Sequence, residues 1–358
     1  MRIISPLLKR IVYPGLSGTG YLQRRANRGN LCVVTYHGVF PAGYEVTDPY
    51  QDGAFVSVKQ FRCQLRLLKS RYFVVSPDDV LDWAVNGGRL PERSILLTCD
   101  EGLLNGLTDM APILRDENLS CLFFVLAAST RQKCERLWYE DLYLALLAAP
   151  NGTFNFAHFG ISIELKERAQ RRATWHRLLK PLSQFDRHER AAFIEAARGQ
   201  FGSGREWGGE PVKNEAWRRR FHLLNVNELR QLVDLGMCVG SHTVDHPMLS
   251  QQSAELAWKE ISESRSALEK ALGKPIWALA YPFGDPGSVT SREWQMAERA
   301  GFECAFMNSG GGFGAAALHR FAIPRVHVTS QMDLAEFEAH ISGFHTALQA
   351  RFAGAGPN

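Results

Sequence analysis

The sequence predicts an α/β protein organised around a parallel sheet or barrel, and three observations carry that prediction. Short apolar runs rich in β-branched residues recur along the chain, and helical segments with their own start and stop signals separate them. None of the runs alternates cleanly between apolar and polar residues, so most should be covered on both faces, as strands of a parallel sheet are.

The runs lie at 31–36 (LCVVTY), 72–75, 94–99 (SILLTC), 121–126 (CLFFVL), 237–240, 276–281 (IWALAY), 302–307 and 323–328, which makes eight candidate strands. Between them, Ser76-Pro77-Asp78-Asp79 supplies an N-cap, a proline at the first helical position and acid in the first turn. Asn225 and Glu228 have capping-box spacing ahead of Leu229, Leu232 and Val233, and Gly236 is placed to stop that helix. The stretch 253–272 puts Ala257, Ile261, Ser264, Leu268 and Leu272 on one face, closed by Gly273 and Pro275, and a further helix near 293–300 ends at Gly301. From about 134 to 220 the sequence is charge-rich and helical with no evident strand pair, and is read as a helical insertion, not a separate domain. The predicted organisation is an N-terminal arm at 1–30, a barrel at 31–345 carrying the insertion, and a flexible tail at 346–358.

With 45% apolar and 22% charged residues among 358, the chain has material for a large core, which excludes disorder as its main theme. Its 41 basic and 37 acidic residues leave a net charge of +4, a field too weak to argue for nucleic acid. The arginine clusters (24, 25 and 28; 168, 171, 172 and 177; 218 to 220) read as solvated helix faces. Seven cysteines, an odd set without a CxxC pair, point to a reducing compartment. No run reaches the roughly 18 apolar residues of a membrane span. The start of the chain is apolar but broken by Arg2, Lys9 and Arg10, with no cleavage site after it. It reads as an amphipathic helix, so the expected location is the cytoplasm, with weak peripheral contact to the inner membrane through Ile3, Ile4, Leu7, Leu8, Ile11 and Val12.

In a β/α barrel the carboxyl ends of the strands converge on one rim. Those ends carry His37, the pair Asp100 and Glu101, His242 and His246, Pro282 and Phe283, and on the last strand Arg325 and His327. The sharpest local pattern is Gly240-Ser241-His242-Thr243-Val244-Asp245-His246-Pro247. Two His four apart reach a common point if the turn between them is tight, and Thr243 distinguishes the run from HExxH. Two imidazoles and one carboxylate make a metal triad with open positions, leaving the other carboxylate to act as general base. Trp138, Tyr139 and Trp277 are read as core in preference to sugar-stacking rings.

The segment TCDEG (98–102) and its continuation resemble the TFDDG region of the polysaccharide deacetylases, the NodB-like carbohydrate esterase family 4. GSHTVDHP is similar to that family's H(S/T)xxHP motif, AYPFG (280–284) to its third motif, and VVTYHGV to its opening strand. The resemblance runs from about 31 to 345, less the insertion. It implies a distorted (β/α) barrel whose divalent metal, most often zinc, is held by Glu101, His242 and His246, with Asp100 as catalytic base. It also implies an oxyanion donor near Phe283. His37, Tyr281, Pro282, Phe283 and Arg325 are the expected substrate-binding residues, and His327 the expected general acid, with His37 as the other available imidazole. Three departures stand out: Glu101 replaces the usual Asp, Ala280 stands where many members carry an Arg that orients the base, and the late LxxH segment is not recognisable. The expected reaction removes N-acetyl groups from an amino-sugar-containing oligosaccharide, polysaccharide or glycolipid precursor. The alternatives are a degenerate barrel that binds glycan without turnover, and a metal hydrolase of a non-sugar amide.

Overall fold

Each of the eight apolar runs forms a strand, and two more strands lie where none was expected. The ten are β1 (Leu31–Tyr36), β2 (Phe73–Val75), β3 (Ser94–Cys99), β4 (Leu122–Val125), β5 (Gly152–Phe156), β6 (Ile161–Leu165), β7 (Cys238–Ser241), β8 (Ala278–Ala280), β9 (Cys304–Phe306) and β10 (Arg325–His327). The computed structural model describes residues 8–26, 31–46, 52–131, 136–202, 214–313 and 319–354. Ile3, Ile4, Leu7, Arg28, Cys134, most of the glycine-rich run before the 214–221 stretch, and the end of the tail lie outside them.

The main sheet is parallel throughout and runs β10-β1-β3-β4-β7-β8-β9, with β2 paired to the first half of β3. A bridge between Phe306 and Ile323, with the Met307 N–H donating to the Ile323 carbonyl at 2.8 Å, joins β9 to the lead-in of β10 and nearly closes the barrel.

Residue parity along the strands explains the missing alternation. Cys32, Val34, Ile95, Leu97, Phe123, Val125 and Leu279 pack with helix residues such as Leu65, Leu114, Ile261 and Leu268. Leu31, Val33, Leu96, Leu122, Phe124, Ala278, Ala280 and Phe306 form a second cluster inside the barrel. Both parities are apolar because both are buried, each Val, Leu or Phe contributing roughly 1.5–3 kcal/mol. The helix signals are realised: Ser76 and Asn225 head capping boxes, and Ser253 caps the helix Ala254–Leu272, which ends at Gly273.

Two expectations about organisation are corrected. The insertion is not purely helical, because β5 and β6 pair antiparallel across the turn at Gly160. Phe154, Phe156, Ile163 and Leu165 recur at period two and lie against helix Arg187–Phe201, with Phe154 to Phe201 at 4.8 Å and Phe156 to Phe193 at 5.1 Å between ring centroids. These side chains belong to an apolar cluster of the insertion's own, running from Leu142 to Phe221. The tail expected from 346 is helical as far as the helix Phe344–Gly354 extends. The arm packs against this end of the chain, with the Tyr13 hydroxyl 2.9 Å from His345 Nδ1. No helix among the described residues is long and apolar enough to cross a membrane.

Candidate active site

The chain leaves β3 at Asp100, whose N–H donates to the Tyr36 carbonyl at 2.9 Å and so extends the β1 ladder by one step. Its carboxylate points back into the barrel. Arg325, from β10, donates from Nη1 to Oδ1 and from Nη2 to Oδ2, each at 2.6 Å. The same guanidinium donates to the Met307 carbonyl at 3.1 Å and lies over the Phe124 ring at 5.3 Å. Asp100 is 2% exposed and Arg325 1%. Burial by itself raises the Asp100 carboxyl, but Arg325, His242 and His37 overcome it and hold the group below the usual carboxylate range. Asp100 is therefore an ionised acceptor at neutral pH.

His242 follows β7 and donates its N–H to the Val125 carbonyl at 2.8 Å. Its Nδ1 lies 2.7 Å from the Ala280 carbonyl. A carbonyl only accepts, so Nδ1 carries the proton and Nε2 presents its lone pair. The loop that follows is fixed by Glu260, which accepts from the Val244 and Asp245 N–H groups at 2.9 Å each. It brings the His246 ring to 4.9 Å from that of His242. Burial lowers both imidazoles, and His242 lowers His246 further, so both are neutral, the form that binds cations. Phe283 packs on the other side of His246 at 5.0 Å. Across the rim His37 and His327 stand 4.7 Å apart. Burial and then His327 push His37 down to about 3, and burial lowers His327 against the pull of Asp100.

Glu101 is different. Its backbone is left-handed (φ 75), as are Thr243 (φ 66), His246 (φ 54) and Phe283 (φ 61). Four such non-glycine residues on one rim each cost about 1–3 kcal/mol, held by the structure around them. The Glu101 carboxyl oxygen Oε1 accepts a hydrogen bond from the hydroxyl of Tyr139, at the start of the insertion helix Trp138–Ala148. Burial and the neighbouring Glu140 raise Glu101 to about 8, against the Tyr139 bond and Arg220.

The structure thus brings Asp100, His242, His246, His37, His327 and Phe283 to one rim. Among the described residues no three His, Cys, Asp or Glu side chains gather as a group that could hold a metal ion. The expected Glu101, His242 and His246 triad is corrected accordingly: two imidazoles meet, and the third donor is engaged by Tyr139. Two imidazoles alone do not fit a resident divalent ion, so no chemical step is derived through one. Arg325, expected to bind substrate, is instead buried against Asp100. Tyr281, also expected at the substrate, is buried with its hydroxyl donating to the Phe321 carbonyl at 3.1 Å. Pro282 is buried too, whereas Phe283 keeps part of its surface open. Tyr139, read from sequence as core, is the site residue that the sequence did not disclose, because only the packing of the insertion brings it to Glu101.

The family model described as polysaccharide deacetylase matches residues 202–305, the segment holding both imidazoles and the AYPFG turn. No curated protein matches by sequence. Among solved structures, the deacetylase PplD of Streptococcus pyogenes is similar at 17% identity and a TM-score of 0.54, covering 87% of this chain and 97% of that one. IcaB of Ammonifex degensii is similar at 18% and 0.52, covering 88% and 97%. A de-N-acetylase of Aggregatibacter actinomycetemcomitans is similar at 14% and 0.51, covering 87% and 99%. These likenesses establish a shared fold with these proteins, and the family model described as polysaccharide deacetylase matches the motif-bearing segment of the chain.

Proposed function

We propose that this chain removes N-acetyl groups from an amino-sugar-containing oligosaccharide, polysaccharide or glycolipid precursor. The observation that carries the reading is the ionised Asp100, fixed by Arg325 beside four neutral imidazoles on the strand-end rim. Hydrolysis of an N-acetyl group adds water across the C–N bond. Asp100 takes the proton from the attacking water, the bond to nitrogen breaks, and the proton must reach the departing amine. His327 and His37 are the imidazoles beside Asp100 that would pass it on. Because burial keeps them neutral, each would receive the proton before giving it up. A backbone N–H of the Phe283 turn is the proposed donor to the developing oxyanion.

The family in general depends on a divalent metal, and zinc is the ion favoured by neutral imidazoles such as His242 and His246. The contact between Tyr139 and Glu101 favours a second reading, a barrel that binds glycan with little or no turnover. Ile11 (61% exposed), Val12 (38%) and Tyr21 (41%), with Arg10 and Arg24 nearby in sequence, support weak peripheral contact with an inner membrane from the cytoplasm. The test is acetate release from N-acetylglucosamine oligomers and from a simple non-sugar acetamide, with and without added zinc. Release from the oligomers alone supports the proposal; release from the acetamide alone assigns a non-sugar amide; saturable oligomer binding without release assigns the binding barrel.

A further inference from the structure

At the end of the barrel opposite the imidazoles, the amino ends of β2, β3 and β4 meet the carboxyl end of the helix Val58–Arg71 and the arm helix Tyr21–Ala26 around a cleft of about 370 Å³. Gln23, Lys69, Arg71, Phe73, Arg93 and Leu119 are in its lining, and among the described residues no acidic side chain is. Two of the three cations have carboxylates of their own. Lys69 donates to Glu117 Oε2 at 2.9 Å, and Arg71 Nη1 donates to both oxygens of the buried Glu338 at 2.8 Å. Arg93 has no carboxylate within ion-pair distance among the described residues. Its Nη1 donates to the Arg71 carbonyl at 3.0 Å, which fixes the guanidinium. Its Nε and Nη2, the edge whose N–H groups grip an oxyanion together, make no hydrogen bond among those residues.

Gln23 Nε2 shares the Arg71 carbonyl at 3.2 Å, so the arm is fastened to this cleft. Phe73, in the lining, is 53% exposed, and Tyr21, two residues before Gln23, is exposed as well. Exposed aromatic rings beside cations suit the headgroup level of a bilayer. We propose that the cleft binds a phosphate group with Arg93 as its paired donor, and that the phosphate belongs to an anionic membrane lipid whose bilayer Phe73 and Tyr21 enter. The inference rests on the reading of peripheral membrane contact and gives that contact a site. The length of β3, roughly 20 Å, separates Arg93 from Asp100. The chain is thereby seated by its amino-end face, and the rim that carries Asp100 faces away from the bilayer.

The experiment is co-sedimentation of the full chain with vesicles of phosphatidylcholine, alone or mixed with phosphatidylglycerol, beside calorimetric titration with inorganic phosphate. The mixed vesicles should bind, and Arg93→Gln should weaken that binding about fivefold or more. Arg93→Lys keeps the charge but not the paired N–H edge, and should weaken it too, as should Phe73→Ser. Melting temperature should stay close to that of the unchanged protein in all three variants. Arg93→Lys binding as tightly as the unchanged protein reduces the contact to unspecific charge and overturns the proposal. Phosphate binding that Arg93→Gln abolishes, without vesicle binding, keeps the phosphate site and overturns its lipid ligand. Vesicle binding that is indifferent to Arg93→Gln but lost with Ile11→Ser leaves membrane contact to the arm and removes the cleft. If the unchanged protein binds neither vesicles nor phosphate, the membrane reading fails and takes the inference with it.

Discussion

Arg325, at the start of β10, and Asp100, just past the end of β3, face each other in the barrel interior across β1 with both pairs of N and O atoms at 2.6 Å. The pairing accounts for the alanine at 280. Where an arginine from the third motif would orient the base, this chain supplies the guanidinium from β10, and the Ala280 backbone carbonyl instead fixes the tautomer of His242. The bidentate geometry fixes the carboxylate plane as well as its charge.

Arg325→Met should therefore damage both stability and chemistry. It leaves a buried carboxylate without its partner, a loss of about 3–5 kcal/mol. Arg325→Lys keeps the charge but not the fork, and should lose less stability while still lowering acetate release. Urea unfolding measures the first effect, and an unshifted midpoint for Arg325→Met would show that the pair does not hold the strand ends.

Arg220 plays the corresponding part between insertion and barrel. It is fully buried and pairs with Asp52 outside the insertion and Glu140 within it. Arg220→Met removes the cation shared by two buried carboxylates and should cost about 3–5 kcal/mol. Hydrogen exchange should show the loss first in the helix Trp138–Ala148. Uniform loosening of the barrel, with that helix unchanged, would contradict the assignment.

The arm should respond to acid. Burial, and then His340, lower His345 to about 4 in the folded chain, where it packs against Tyr13. A histidine whose folded value lies below its ordinary value binds its proton more readily when unfolded. Its contribution is therefore fully present above about 6.5 and declines as pH falls from there toward 4. Melting temperature measured across that window should fall more steeply for the unchanged protein than for His345→Gln, and parallel slopes would exclude His345 as the titrating group.

The barrel strands were legible because both faces of each are buried, which writes β1, β3 and β4 as unbroken apolar runs. The β5–β6 hairpin was not, since its alternating residues are few and lie within charged helical sequence, and its burial depends on phenylalanines 193 and 201, some forty residues downstream. Asp100, His242 and His246 were legible from their position just past strand ends. The direction of Arg325 was available in principle: Val33 belongs to the inner cluster and pairs with Arg325 in register, so the arginine had to point inward. Nothing local announces Tyr139, because its role depends on where an insertion of its own core settles on the rim.

The most direct measurement of the central claim is the rate of acetate release from an N-acetylglucosamine oligomer by the unchanged protein and by Asp100→Asn. Asparagine keeps the shape and cannot take up the proton of water, so release should fall by about 10²–10⁴-fold. A rate within twofold of the unchanged protein would contradict Asp100 as the base.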